Sequence, residues 1–537
     1  MKIRIFAILV FFPFLGWSQL DYPTYPQLSS QINSLAQQFG SGSAAIGKSY
    51  GGENIPIIKI QQSQKPKPTL LIVAGIDGRH PAGILSAVAL AKRIGDLPKD
   101  SLSRLLQDHA IWIVPMLNPD AYKRNISSAV WLSGNGRAID NDRDGRLNED
   151  PSEDLNKDGL ISQMRVRSIG GKYVTHKEYA NYLIEADPQK GERGMYDLYV
   201  EGMDSDKDGL FGEDGEGGVN INRNFTFNYP AFTPESGDYA ASEPETRAIV
   251  DLIFDNPQIA TVVHYGFGNN LHEPEKFEQG KANDRIIGSW LENDAAVSTY
   301  VSGLYSNNTA SLGAAPKESI QAGHFSNAAY YHMGKYSFST PVWWPSVADS
   351  SGQSDKARKT PAADAFLQWA TVNNVSGAVL PWTKVNHPDF PNQEVEVGGV
   401  VDVFKNNPPL AFLTKNNEAH TAFIVALLNS MPKLEFPEPV VTALGDNIFR
   451  VDLRIVNTGL MPTYPEIADK IKHVSKMKTV CELQKNQKFL SGKRLQLSPT
   501  LHAGKVQHVS WLIQGKGTVE ITAGCPTGGE NTIKVTL

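Results

Sequence analysis

The sequence predicts an α/β fold, with a mixed, largely parallel central sheet carrying helices on both faces, followed by a C-terminal antiparallel β-sandwich. Three observations predict it. Short apolar runs recur at Leu70 to Ala74, Ala110 to Pro115 and Ile259 to Val263, each the length of a strand covered on both faces. A helical stripe follows the first of these runs, Ile84, Leu85, Val88 and Ile94 after Pro81. Beyond residue 440 the pattern changes to alternating apolar and polar residues between turn signals, at Asn447 to Val456, Lys505 to Ile513, Gly517 to Thr522 and Asn531 to Leu537.

Taken in order, residues 1–18 read as a signal peptide: Lys2 and Arg4 precede the apolar run Ile5 to Leu15, and cleavage is expected near Ser18. That run is shorter than the roughly 20 residues a membrane span needs, and no other stretch reaches that length. The mature chain is therefore expected to be exported, periplasmic or extracellular, with no transmembrane segment. Cys481 and Cys525 are then either a disulfide or two buried thiols. A net charge of -6 without a basic cluster excludes a nucleic-acid footprint. Ser29 to Phe39 reads as an amphipathic helix and Ala45 to Ile60 as a strand pair around Gly51-Gly52. Asn118-Pro119-Asp120 reads as the turn that stops the second buried strand. Ser242 and Glu245 read as a capping box, with Pro244 in the first turn, opening a helix through Ile253. A helix is expected at about Glu418 to Asn429, and Pro432 to Pro439 reads as a linker. The domains are thus 19–431, with an acidic insertion at 140–216, and 440–537.

That insertion holds three copies of one spacing: Asp140, Asp142, Asp144; Asp154, Asn156, Asp158; and Asp204, Asp206, Asp208, each followed at the sixth position by Gly. Oxygen ligands at alternate positions with a glycine at the turn are what a calcium loop requires. No copy carries the bidentate Glu at position 12, so they resemble the shortened loops of dockerin-type repeats. Their expected role is structural calcium that stiffens the insertion.

Between the first strand and its helix lies Gly75-Ile76-Asp77-Gly78-Arg79-His80, at the strand's carboxyl end, where open α/β sheets place ligands. It resembles the first metal motif of the zinc carboxypeptidase family (carboxypeptidase A-like metallopeptidases), Gly-Ile-His-x-Arg-Glu, with Asp77 where the family has His and His80 where it has Glu. Val219 to Tyr229, VNINRNFTFNY, is similar to that family's Asn-Arg motif. His264, ending the third strand, falls where its third metal ligand falls. The resemblance covers roughly residues 20 to 430. It implies a metallocarboxypeptidase with zinc held by Asp77, His80 and His264, a ligand inventory kept but permuted. It implies Asn222 and Arg223 holding the terminal carboxylate of a peptide or cell-wall peptide, with Arg165 (or Arg167) as the arginine beside the scissile carbonyl.

The resemblance also implies a catalytic carboxylate that the sequence lacks. Lys335-Tyr336-Ser337-Phe338 is similar to the strand that delivers the family's catalytic Glu three residues past the Phe, and here that position is Pro341. The mobile catalytic Tyr is replaced by Ile320, Tyr330 matches a structural tyrosine, and Asp349 is the nearest later acid. Zinc would polarise water and carbonyl while a carboxylate moves the proton, an assistance worth typically about 10² to 10⁴ in rate. Two readings follow: an exported metallocarboxypeptidase with an unidentified base, or a catalytically inactive relative that binds peptide or glycopeptide ends.

Overall fold

The computed structural model describes residues 20–139, 152–205, 207, 209, 211, 217–233, 235–346 and 362–537. The expected signal peptide, Asp349, and the calcium candidates Asp140, Asp142, Asp144, Asp206 and Asp208 lie outside them.

The buried runs form one five-stranded sheet in the order Tyr336–Thr340, Ile259–Tyr265, Thr69–Ala74, Ala110–Val114, Ile58–Ile60. The first four run parallel and Ile58–Ile60 closes the edge antiparallel. Every residue of the four parallel strands is buried, as strands covered on both faces require. The Pro81–Gly95 helix packs on three of these strands, and the Leu410–Ser430 helix packs on it in turn. The sheet is therefore mixed, largely parallel and helix-covered.

Local chemistry explains where the elements differ from expectation. The first helix runs Tyr25–Gln38, beginning before Ser29, because Thr24 and Gln27 form a capping box there. Asn118-Pro119-Asp120 ends the strand by starting a helix, Pro119–Asn125: the Asn118 side chain accepts from Ala121 N at 3.1 Å, and Pro119 is tolerated in the first turn. Ser242 and Glu245 do not form a capping box. Glu243 is the residue before the Pro244–Asp255 helix, and Glu245 instead accepts from Tyr50 N and the Asn135 amide, joining two distant loops. The closing helix is longer than Glu418 to Asn429, spanning Leu410–Ser430.

An antiparallel sheet was not legible in the sequence. Its six strands are ordered Val379–Val385, Val395–Val400, Gln163–Arg167, Tyr196–Val200, Tyr173–Thr175 and Leu183–Glu185. It has its own small core of Met164, Val166, Phe211, Val395 and Val397. The acidic insertion is therefore structured around a sheet completed by chain from 200 residues later.

C-terminally, two antiparallel sheets of five and four strands enclose a core that includes Val451, Trp511, Ile513 and Ile521. Cys481 and Cys525 both lie in that core as free thiols, and burial pushes the Cys481 thiol up to about 12. The joint between the two parts is polar at its centre. Asp294, in the first turn of the Glu292–Thr309 helix, accepts from Glu466 N (2.8 Å) and Ile467 N (3.1 Å), capping the short Glu466–Lys470 helix of the C-terminal part. Tyr330 and Tyr336 donate to the same carboxylate, and Met461 and Ile467 are packed into the main core.

Burial raises the Asp294 carboxyl to about 6, against the partial offset of its donors. A folded-state value above the unfolded one means that this group's contribution to stability is complete below about pH 4 and lost as pH rises through about 6. Asp294→Asn does not titrate. Urea unfolding of wild type and variant should therefore show the wild type losing about 3 kcal/mol relative to the variant between about pH 4 and 7. Parallel pH curves would refute the assignment.

Candidate functional site

The parallel strands set Ala74, Tyr265 and Thr340 side by side, so the residues that follow each of them share one sheet end. After Ala74 the chain turns at Gly75 (φ +64), where a Cβ would meet Ile84 and the Met116 backbone. Gly78 is pressed under Leu132, to whose carbonyl a Cβ would stand 2.4 Å away, and its N–H bonds Ser133 O. This tight path points Asp77 and His80 inward.

Both oxygens of Asp77 are engaged. Oδ1 accepts from Arg79 N (2.8 Å) and Arg79 Nε (3.2 Å), while Oδ2 accepts from Arg79 Nη2 (3.1 Å) and Asn220 Nδ2 (3.2 Å). The carboxylate is buried and the guanidinium half exposed, and Asp77 raises the already high Arg79 pKa. His80 precedes the Pro81–Gly95 helix but does not cap it. Asn407 does, accepting from Ala82 N (3.1 Å) while donating to Arg79 O (2.8 Å). The His80 ring is 1 % exposed, lies 5.0 Å from the Phe267 ring, and has a partner at neither nitrogen among the described residues. Burial lowers its pKa to about 4, with Asp77 opposing the shift, so the imidazole is neutral at pH 7.

His264, next to last in its strand, has Nδ1 3.1 Å from Ser339 Oγ and its ring edge-on to His324 at 5.2 Å. Burial lowers its pKa, and His324 and His80 lower it further. A Cβ on Gly266 would stand 2.2 Å from His264 Nε2, so only glycine lets the ring fold back over its own strand end. His324 is not free: Nε2 bonds Phe267 O (2.9 Å) and Nδ1 accepts from Ser326 N (3.0 Å), capping the Phe325–Tyr331 helix.

The structure thus puts His80 within electrostatic reach of both Asp77 and His264. It does not gather the three as donors: among the described residues no group of three or more His, Cys, Asp or Glu side chains is placed to hold a metal ion. The donor chemistry agrees, because Asp77 already faces a guanidinium and an amide. In this arrangement the residues do not fit zinc.

Asn222 and Arg223 sit in the Ile221–Arg223 turn, positioned by Asn220, whose side chain accepts from Asn222 N (2.9 Å). Asn222 Oδ1 accepts from Phe325 N (3.1 Å) and so starts the following helix. Arg223 keeps a buried Nε with no partner among the described residues. Arg165 is elsewhere, in the six-stranded sheet, ion-paired to Glu396 (2.6 Å) and layered between the Tyr196 and Trp382 rings. Arg167 pairs with Glu394 in the same sheet. Pro341 directly follows the Tyr336–Thr340 strand, and Val342 to Trp344 behind it are buried. Ile320 lies over Gly268, whose Cβ would stand 3.2 Å from it, and Tyr330 stacks on Trp290 at 4.1 Å while bonding Asp294.

Sequence reasoning missed Asn220, Asn407, Ser339 and His324. Asn220 had a signal, two residues before the Asn-Arg pair; the others reach the site through contacts far along the chain.

The second acidic loop is described completely and the third in part. In the second, Asp154 and Asn156 accept from Asp158 N at 3.0 Å, Asp154 accepts from Gly159 N (2.7 Å), and Lys157 and Gly159 are left-handed. In the third, Asp204 accepts from Gly209 N (3.2 Å), and Lys207 and Gly209 repeat the left-handed pair.

Residues 31–335 match the family model described as zinc carboxypeptidase, and residues 433–536 match a domain of unknown function, DUF8731. No curated protein matches the chain. Similar solved structures include bovine thrombin-activatable fibrinolysis inhibitor, in complex with tick carboxypeptidase inhibitor (16% identity, 66% of this chain and 98% of that one, TM-score 0.34). Carboxypeptidase A from Helicoverpa armigera is another (15%, 66% and 73%, TM-score 0.36), as is the murein-tripeptide amidase from Escherichia coli O157 (14%, 63% and 96%, TM-score 0.26).

Gly83 tests the packing of this site. Replacing a helix-interior Gly by Ala ordinarily stabilises by about 1 kcal/mol. Here a Cβ would stand 2.5 Å from Tyr265 O and 2.7 Å from His80 Nδ1. Steric overlap with a backbone carbonyl outweighs propensity, so Gly83→Ala should destabilise by about 1–3 kcal/mol in urea unfolding. A stabilised variant would show that the ring and strand end are looser than described.

Proposed function

This chain belongs to the zinc carboxypeptidase family, and we propose that it is an exported member that holds C-terminal ends of peptides or cell-wall peptides without hydrolysing them. The observation that carries this reading is Asp77. Its carboxylate is bound on both oxygens by Arg79 and Asn220, so it offers neither a metal ligand nor a proton acceptor. The base position is Pro341, which has no side chain able to take a proton from water. The imidazoles of His80 and His264 are enclosed and neutral. The family is zinc-dependent, but no step is assigned to zinc here because the donor set does not fit it.

Recognition rests on Arg223. Its guanidinium has a buried, unpartnered Nε among the described residues, and a planar fork suits a terminal carboxylate. Arg79, paired with Asp77, presents a second guanidinium that is half exposed. Export is supported by the charged and apolar pattern of residues 1–18. No helix among the described residues is long and apolar enough to cross a membrane.

The test uses protein recovered from the exported fraction, with Gln19 expected as its first residue, given zinc and a panel of free-acid peptides and muropeptide stems. Calorimetry should show binding of free acids over their C-terminal amides, weakened about tenfold or more by Arg223→Ala, since hydrogen bonds to charged groups carry about 1.5–3 kcal/mol. No terminal residue should be released. Release that disappears in His264→Ala would establish metallocarboxypeptidase hydrolysis instead, and absence of both binding and release would end the recognition reading.

For the acidic loops we propose structural calcium. Its support is the repeated spacing together with the same left-handed pair in the second and third loops, Lys157 and Gly159, and Lys207 and Gly209. Chelation should lower the melting temperature by several degrees, with recovery on adding Ca²⁺ and not Mg²⁺, whose octahedral shell suits such loops poorly. Identical melting with and without chelator would refute it.

A further inference from the structure

We propose that the cavity between the 272–289 loop and the end of the Phe325–Tyr331 helix binds an organic cation, a ligand bearing a primary ammonium or guanidinium group. This site is distinct from the sheet end described above and does not rest on the peptide-end reading.

The cavity has a volume of ≈ 500 Å³, within the range that takes a small ligand or a long side chain. Three glutamates line it, and two are already neutralised from outside: Glu273 by Lys317 (2.5 Å) and Glu278 by Lys281 (2.8 Å). Glu275 has no cation among the described residues. It lies beside the Asn270 amide, and burial raises its pKa. A carboxylate removed from water without a counter-charge is unfavourable, and a bound cation relieves it.

The independent observation is Tyr331. It is 6 % exposed, and its ring is stacked face to face on Phe227 at 3.9 Å, which fixes its direction. No hydrogen bond holds its hydroxyl among the described residues, and the oxygen is not one of the fully enclosed unpartnered atoms: it is left open where Tyr331 lines the cavity. Glu275 and Glu278 line the same cavity as Tyr331, and, after burial, both raise the tyrosine's pKa. An unpartnered hydroxyl and an uncompensated carboxylate therefore converge on one space.

The class of ligand follows by elimination. An anion would meet the glutamates. A bare metal ion is disfavoured because no three acidic or imidazole groups converge there. His272, whose pKa burial lowers, adds no charge, and Lys276, the other cation at the rim, is exposed to water. An ammonium group entering the cavity finds two acceptors among its lining residues, the Glu275 carboxylate and the Tyr331 oxygen.

Saturation-transfer NMR on the full chain, with n-butylammonium as the probe and n-butanol as its neutral counterpart, tests this. Saturable binding of butylammonium and not of butanol is expected. Glu275→Gln should weaken it about tenfold or more and Tyr331→Phe, which keeps the Phe227 stack, about threefold to tenfold. Equal binding of the two probes, no binding, or unchanged affinity in Glu275→Gln would overturn the proposal. Should Glu275→Gln not fold, unchanged affinity in Tyr331→Phe overturns it alone.

Discussion

The in-register parallel pairing of three buried strands governs everything at the site. Because Ala74, Tyr265 and Thr340 occupy one row, and because both faces are covered, whatever follows those residues must emerge at one edge or be enclosed beneath it. The chain after Ala74 delivers Asp77 and His80, the chain around Tyr265 carries His264 and Gly266, and the chain after Thr340 delivers Pro341. The scaffold thus brings residues from three distant parts of the sequence to one sheet end.

That edge is rich in polar groups held away from water. Among the described residues neither His80 ring nitrogen has a well-formed hydrogen bond, while Asp77 is over-supplied with donors. Local rules of polar satisfaction are broken most often where a protein has or had a function. Here the imbalance has a direction: the carboxylate is locked to a neighbouring arginine, and the imidazoles are kept neutral by burial. The Arg79 charge is offset by Asp77, and the enclosed imidazoles add none.

Much of the fold was legible in the sequence because fully buried strands must be short apolar runs, and Leu70 to Ala74 and Ile259 to Val263 are such runs. Boundaries set by one residue's chemistry were not. Pro119 is equally at home in a turn and in a first helical turn, and Glu245 has a capping residue's spacing but bonds Tyr50 instead. The six-stranded sheet escaped because its strands are only 3–7 residues long and half-buried, and because Gln163–Arg167 pairs with a strand more than 200 residues away. At the site, Asp77, His80, His264, Asn222 and Arg223 were visible as residue types in order. Their states were not, since those depend on Asn220, Asn407, Ser339 and Phe325, which only the folded chain brings near. Arg165 shows the converse: a suitable residue type, placed by its strand in another sheet.

The Asp294 joint has a consequence for how the molecule comes into being. Its backbone partners at Glu466 and Ile467 lie 172 and 173 residues downstream, and Met461 and Ile467 plug the larger part's interior. A polypeptide emerging from its amino end therefore holds an open seam, with a carboxylate and two tyrosines facing it, until about the last seventh of its synthesis is under way. Quality-control proteases would meet that seam in every nonsense truncation that stops short of residue 466, so the terminal sandwich serves its neighbour as a late-arriving closure as well as a module in its own right.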